Sequence, residues 1–174
     1  MTKLAFGCSH TYGIGVNPEH AWPSLLGAIN YGVPGCSSDL IARTMPNILN
    51  KHQPSEVYVL WPDWGRFEYK EQGKIKQSLA TDSNRIQFMS TATDEWLLSN
   101  FNKQVTTVKN LCSEIRLIHL TFFNLAPPLM EYACLYPKGR DNVHYDESFH
   151  RKVAEIFDNM SKNNIEYELE YGST

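Results

Sequence analysis

The sequence predicts an α/β protein with a doubly wound, mainly parallel sheet of about five strands flanked by helices. Three observations carry this. The segment Glu56 to Trp61 (EVYVLW) is β-branched, aromatic and apolar on both faces, as expected of a strand buried in a parallel sheet. Ile115 to Phe122 has the same character, and amphipathic helical stretches alternate with the strands along the chain. Such alternation places successive parallel strands in one sheet, with ligands binding beyond their carboxyl ends.

The elements follow in order. Lys3 to Gly7 is a short apolar run with a glycine stop, and Cys8 to Gly15 is polar and glycine-rich, which reads as a strand feeding a functional turn. Glu19 to Ala28 can form a short helix, and Ile29 to Val33 reads as a second strand ended by Pro34-Gly35. Ser37 or Ser38 caps a helix running to about Lys51, with Pro46 inside it as a kink site. After the Glu56 to Trp61 strand, residues 62–93 are polar and lack sustained periodicity, apart from short strands around Gly73 to Lys76 and Arg85 to Met89. They read as an insertion or lid.

Asp94 to Glu114 has helical spacing, with Trp96, Leu97, Phe101, Val105, Val108 and Leu111 on one face and an acidic pair at its start. Asp146 to Asn163 is a further amphipathic helix. Ile165 to Tyr171 alternates apolar residues with glutamate, the pattern of an extra edge strand that caps the sheet or pairs with a second copy of the chain.

Composition narrows the function classes. With 174 residues, residues 1–174 read as one domain large enough to bury a core without metal or disulfide staples. A net charge of -3 without any Lys/Arg cluster argues against nucleic acid as a partner. No apolar run approaches membrane-spanning length, and the first residues are too briefly apolar for a signal peptide, so a soluble, cytoplasmic protein is expected. Cys8, Cys36, Cys112 and Cys134 lack the spacing of a zinc or redox motif. They read as reduced thiols, with a Cys8–Cys36 disulfide the alternative under oxidising conditions, and neither metal nor cofactor is expected.

Three segments fall just after strands or at a helix start, where the fold would gather them into one crevice. Gly7-Cys8-Ser9-His10-Thr11 sets a serine hydroxyl at the sheet edge, although most strand-end serines only bond local backbone. Asn30 to Leu40 (NYGVPGCSSDL) leads into a helix and leaves the Gly35 N–H available for an anion. In Asp141-Asn142-Val143-His144 the aspartate can orient the imidazole and fix its tautomer.

Together these segments resemble the SGNH (GDSL-like) hydrolases. Gly7-Cys8-Ser9 is similar to their Gly-Asp-Ser block, the segment around Gly35 to the second block, and Asp141 to His144 to the final D-x-x-H block. The likeness runs in order from residue 4 to about 160, and Ala21-Trp22-Pro23 with Trp61 to Glu68 is reminiscent of small bacterial and bacteriophage members.

The resemblance implies a flavodoxin-like SGNH fold and a serine esterase. Ser9 is the expected nucleophile, His144 the base and Asp141 its orienting carboxylate, with the backbone N–H groups of Ser9 and Gly35 in the oxyanion hole. It implies an acyl-ester or acylated-carbohydrate substrate, with O-deacetylation one such reaction.

Two departures stand out. Cys8 replaces the usual aspartate, and the Gly-x-Asn-Asp block is absent after the Glu56 to Trp61 strand, where Asp63 lies nearest the position of the missing oxyanion asparagine. On that alignment, Asp63→Asn should raise the rate.

Other readings stay open. A non-catalytic or weakly active binding or virion-associated protein would keep the fold without efficient oxyanion stabilisation. A lipase or thioesterase is a third class. Cys8 as nucleophile, with His10 or His144 as base, is a chemical rival. Trp61, Trp64, Phe67 and Tyr69 read first as packing, with Trp61, Trp64 and Arg66 the candidates for substrate contact. Arg66 and Glu68 read first as a local ion pair. His10, His20, His52, His119 and His150 read as solvent-facing or hydrogen-bonded, and of these His10 alone adjoins the proposed site.

Overall fold

The computed structural model describes residues 1–78, 93–121, 138–141 and 143–165. Four strands form the central sheet: β1 (Lys3–Gly7), β2 (Ile29–Gly32), β3 (Glu56–Trp61) and, after the hairpin described below, β6 (Arg116–Thr121). All are parallel, in the order β2-β1-β3-β6. The sheet thus has four strands among the described residues where about five were expected. The C-terminal strand expected over residues 165–171 lies outside the described residues except for Ile165, which is exposed.

Alternation along the strands builds two cores. On one face Leu4, Phe6, Val57, Val59 and Trp61 pack under helices α3 (Ser38–His52) and α4 (Asp94–Leu111), which contribute Ile41, Met45, Phe101, Val105 and Val108. On the other face Ala5, Tyr58, Leu60, Ile118 and Leu120 meet α5 (Glu147–Asn163) through Phe149, Val153, Phe157 and Met160. The strand residues are apolar on both faces because both faces are covered.

Local signals explain the helix ends. Ser37 Oγ accepts from the Leu40 N–H at 3.3 Å, Thr93 Oγ1 from the Trp96 N–H at 3.2 Å, and Asp146 Oδ1 from the Ser148 N–H at 2.9 Å. Pro46 lies inside α3. Trp96, expected on the buried face of α4, is half exposed and meets Phe67 edge-on at 5.6 Å. It belongs to the first turn, ahead of the stretch that covers the sheet.

The segment from 19 to 28 is two short pieces rather than one helix: a 3₁₀ turn (Pro18–His20) and α2 (Trp22–Leu25), with α1 (Ser9–Tyr12) before them. Pro23 sits at the start of α2, where its missing N–H costs nothing but where a helix continuing from His20 would need it. His20 Nδ1 pairs with Glu147, and the Trp22 N–H donates to His150 Nδ1 at 3.3 Å, fastening this region to α5.

The polar segment after β3 contains an antiparallel hairpin, β4 (Glu68–Glu71) with β5 (Lys74–Gln77). It is fixed to the helices at Asp39, whose carboxylate accepts from the Glu68 N–H and from the side-chain amides of Asn100 and Gln104. The strand expected at Arg85 to Met89 lies outside the described residues.

Candidate active site

The carboxyl end of β1 turns sharply into α1. Gly7 has φ 155°, and a Cβ there would lie 2.0 Å from Thr11 Oγ1 and 2.6 Å from the Leu60 carbonyl oxygen. Only glycine allows α1 to fold this tightly onto the sheet edge. The turn places Ser9 at the first position of α1, mostly buried. Asn30 locks it from the side: its Nδ2 donates to the Thr11 carbonyl at 2.8 Å, and its Oδ1 accepts from the Gly32 N–H at 2.8 Å.

The loop carrying Asp141 and His144 is a tight turn, bridged between Lys138 and Tyr145 and closed by the Gly139 N–H donating to the His144 carbonyl at 2.7 Å. It docks on the chain just beyond Ser9. The Arg140 N–H donates to the Gly15 carbonyl at 3.0 Å. Gly15 has φ 95°, and a Cβ on it would approach Asp141 Oδ1 to 3.2 Å and His144 Cβ to 3.3 Å. A side chain at Gly15 would therefore push the loop away.

Within the turn, Asp141 Oδ1 accepts from the His144 N–H at 3.0 Å and the Val143 N–H at 3.1 Å, while Oδ2 lies 2.5 Å from His144 Nδ1. The hydrogen bonds from His144 and the neighbouring backbone lower the Asp141 carboxyl to about 2. An ionised Asp141 facing Nδ1 favours the tautomer that carries its proton on that nitrogen and its lone pair on Nε2.

The His144 ring meets His10, the residue after Ser9, at 5.2 Å between centroids. His10 also packs against Tyr145 and Phe149. Burial first, then electrostatic repulsion from His144, lowers His10 to about 3, so it is neutral at physiological pH. The structure thus brings the Ser9 turn and the Asp141–His144 pair together. Among the described residues no hydrogen bond joins Ser9 Oγ to His144.

Neither the Ser9 N–H nor the Gly35 N–H donates to a backbone carbonyl among the described residues. Gly35 has φ 74°, in the turn leading to α3. Cys8 and Cys36 are both buried free thiols, and burial pushes Cys36 far above the ordinary thiol range.

The residues after β3 divide differently from the expectation. Trp61 is fully buried in the core, donates from Nε1 to His119 Nδ1 at 3.1 Å and packs on Phe101, so it is not a substrate contact. Its position at the last residue of β3, on the face covered by α4, draws it inward. Trp64 packs half-buried against the same core. Glu68 pairs with Arg43 through both oxygens, at 3.0 and 2.8 Å, rather than with Arg66. The two face different neighbours, Glu68 turning to α3 while parts of the Arg66 guanidinium are buried. Asp63 Oδ1 accepts from the Gly65 N–H at 2.7 Å and so caps its own turn. Gly15, Gly139 and the buried contacts of His10 carry no signal short of the tertiary fold.

No family model matches the sequence, and no curated protein does. Solved structures do. A crystal structure of TesA aligns with a TM-score of 0.58 at 13% identity, covering 95% of this chain and 100% of its own. The family 3 carbohydrate esterase of Clostridium thermocellum gives 0.57 at 13% identity, covering 94% and 96%. A G-D-S-L family lipolytic protein from Desulfitobacterium hafniense gives 0.53 at 14%, covering 89% and 97%. The chain has the SGNH hydrolase fold. In this SGNH frame Ser9 lies after the first strand and Asp141 and His144 just before the last described helix. No helix among the described residues is long and apolar enough to cross a membrane.

Proposed function

We propose that this SGNH-fold protein is a serine esterase acting on a small acyl ester, with an acylated carbohydrate the substrate class favoured by the carbohydrate esterase among its structural neighbours. The observation that carries the reading is the Asp141–His144 pair at 2.5 Å, docked through Gly15 onto the chain that follows Ser9.

In the reaction Ser9 Oγ attacks the ester carbonyl carbon as His144 Nε2 takes its proton. The carbonyl electron pair moves onto oxygen, where the N–H groups of Ser9 and Gly35 donate to it. Collapse of the tetrahedral intermediate breaks the bond to the alcohol, which leaves with the proton held by His144. A water, deprotonated by the same nitrogen, then cleaves the acyl-enzyme and frees Ser9. The open Ser9–His144 contact closes when substrate occupies the crevice, since catalytic hydrogen bonds are often long in a free enzyme.

One observation favours a binding protein with a weak or vestigial triad: the missing oxyanion asparagine, with Asp63 turned to Gly65 instead. Hydrolysis of a short-chain aryl acetate decides between the two. The esterase reading expects turnover that Ser9→Ala abolishes in a folded protein, and equal rates for the two chains would leave the binding reading.

A further inference from the structure

Arg66 is anchored by its backbone and open at its charge. Its N–H donates to the Asp63 carbonyl at 3.0 Å, and the Asp63 carboxylate caps the intervening Gly65 at 2.7 Å, so the turn after β3 is well defined. Yet Nε and Nη1 of the guanidinium are buried with no hydrogen-bond partner among the described residues. Withdrawing a cation's donors from water without an acceptor is costly, and a native fold keeps such a group where something completes it.

The surroundings indicate what does. β3 runs beside β1 with Leu60 in register with Gly7, and Trp64 of the Arg66 turn packs against the cluster that holds Cys8 and Cys36; the Arg66 charge also acts on His10 and on the Cys36 thiol. His10 directly follows Ser9 and Cys36 directly follows Gly35, whose N–H groups donate to no backbone carbonyl among the described residues. Arg66 also follows β3, the part of the chain where the expected asparagine donor is missing. Asp63 does not fill that role: an ionised carboxylate has no proton to donate, and this one accepts from Gly65.

Resting on the esterase reading above, we propose that the part-buried Arg66 guanidinium is the third oxyanion donor of this site, acting with the Ser9 and Gly35 N–H groups where SGNH hydrolases use an asparagine. As the bond from Ser9 Oγ to the carbonyl carbon forms, the carbonyl electron pair moves to oxygen, and the full negative charge develops against the guanidinium. When that pair re-forms the carbonyl, the bond to the leaving alcohol breaks and the alcohol takes the His144 proton. A charge-assisted donor acts most strongly on the ionic intermediate, so its effect falls on kcat.

The test is steady-state hydrolysis of two aryl esters by the full chain, neutral p-nitrophenyl acetate and the mono-p-nitrophenyl ester of succinate. The proteins are wild type, Ser9→Ala, Arg66→Gln, Arg66→Lys, Arg66→Ala and Asp63→Asn, each checked for folding by circular dichroism. Arg66→Gln should lower kcat about 10²- to 10³-fold on both esters with little change in KM, the loss typical of one oxyanion donor. Arg66→Lys should keep part of the rate, and added guanidinium ion should restore part of it to Arg66→Ala. Asp63→Asn should stay within a few-fold of wild type, since its amide oxygen can still cap Gly65. Wild-type kcat in Arg66→Gln on the neutral ester would overturn the proposal. A loss confined to KM for the succinate ester would instead assign Arg66 to a substrate carboxylate and overturn it equally. Turnover that does not depend on Ser9 would remove the esterase reading itself, and the oxyanion role with it.

Discussion

Asp141 holds His144 at two points, its Oδ1 accepting the backbone N–H at 3.0 Å and its Oδ2 facing Nδ1 at 2.5 Å. One carboxylate therefore sets the position of the loop and the tautomer of the ring. Asp141→Asn should lower kcat by roughly 10²- to 10⁴-fold, because an amide can present its N–H to Nδ1 and turn the ring's lone pair away from Ser9. Esterase kinetics with a thermal melt checks this: a rate near wild type would separate Asp141 from the chemistry.

The same carboxylate makes the loop acid-sensitive. Its folded value, about 2, lies below the ordinary 3.8, so the group stabilises the folded state above pH 4. That contribution is lost as the pH falls from about 4 through about 2. A ¹³C titration of the Asp141 carboxyl should show a midpoint near 2, and an unshifted midpoint would mean that the His144 contacts are not held in solution.

Buried imidazoles add a second pH effect at higher pH. Burial lowers His10 to about 3 and His119 and His150 to about 4, against 6.5 for a free histidine. Their depressed values mean that the unfolded chain binds more protons than the folded one once the pH drops below about 6.5. Stability should therefore fall between about pH 6.5 and 4, by on the order of 1–3 kcal/mol per histidine. Urea midpoints at pH 7, 5.5 and 4.5 should decline together. His119→Phe should flatten part of the slope, and an unchanged slope would exclude His119 as a contributor.

Gly15 tests whether loop docking matters. At φ 95°, Gly15→Ala would be strained, and its Cβ would stand 3.2 Å from Asp141 Oδ1. The expected cost is about 1–3 kcal/mol of stability together with a loss of kcat exceeding that of a surface glycine variant. Gly73→Ala is the matched control, with φ 77° and nothing within 4 Å of the added Cβ. Equal kcat for the two variants would contradict a docking role for Gly15.

Much of this was legible in the sequence because burial on both sheet faces leaves a continuous apolar run. Glu56–Trp61 is such a strand, and Arg116–Thr121 differs from its expected span only at the ends. The D-x-x-H segment was legible because its aspartate and histidine are close in sequence, and a tight turn joins them at 2.5 Å. What was not legible depends on neighbours distant along the chain. Glu68 chose Arg43, 25 residues away, over nearby Arg66, since Arg43 lies on the helix that the hairpin covers. Trp61 reads first as packing and only second as a substrate contact, and strand alternation turns it under α4. Gly15 and Gly139 gain meaning only when their two loops meet: a Cβ on Gly139 would lie 2.6 Å from the Gly15 carbonyl oxygen.

The central claim is that Ser9 is an activated nucleophile, and active-site labelling by a fluorophosphonate tests it most directly. The reagent phosphonylates a serine only when a base withdraws its proton and donors receive the developing negative oxygen. Peptide mass spectrometry should find one adduct, on Ser9, with labelling lost in His144→Ala and preserved in Cys8→Ala. Absence of any Ser9 adduct in the folded wild-type chain, or labelling indifferent to His144, would contradict the account.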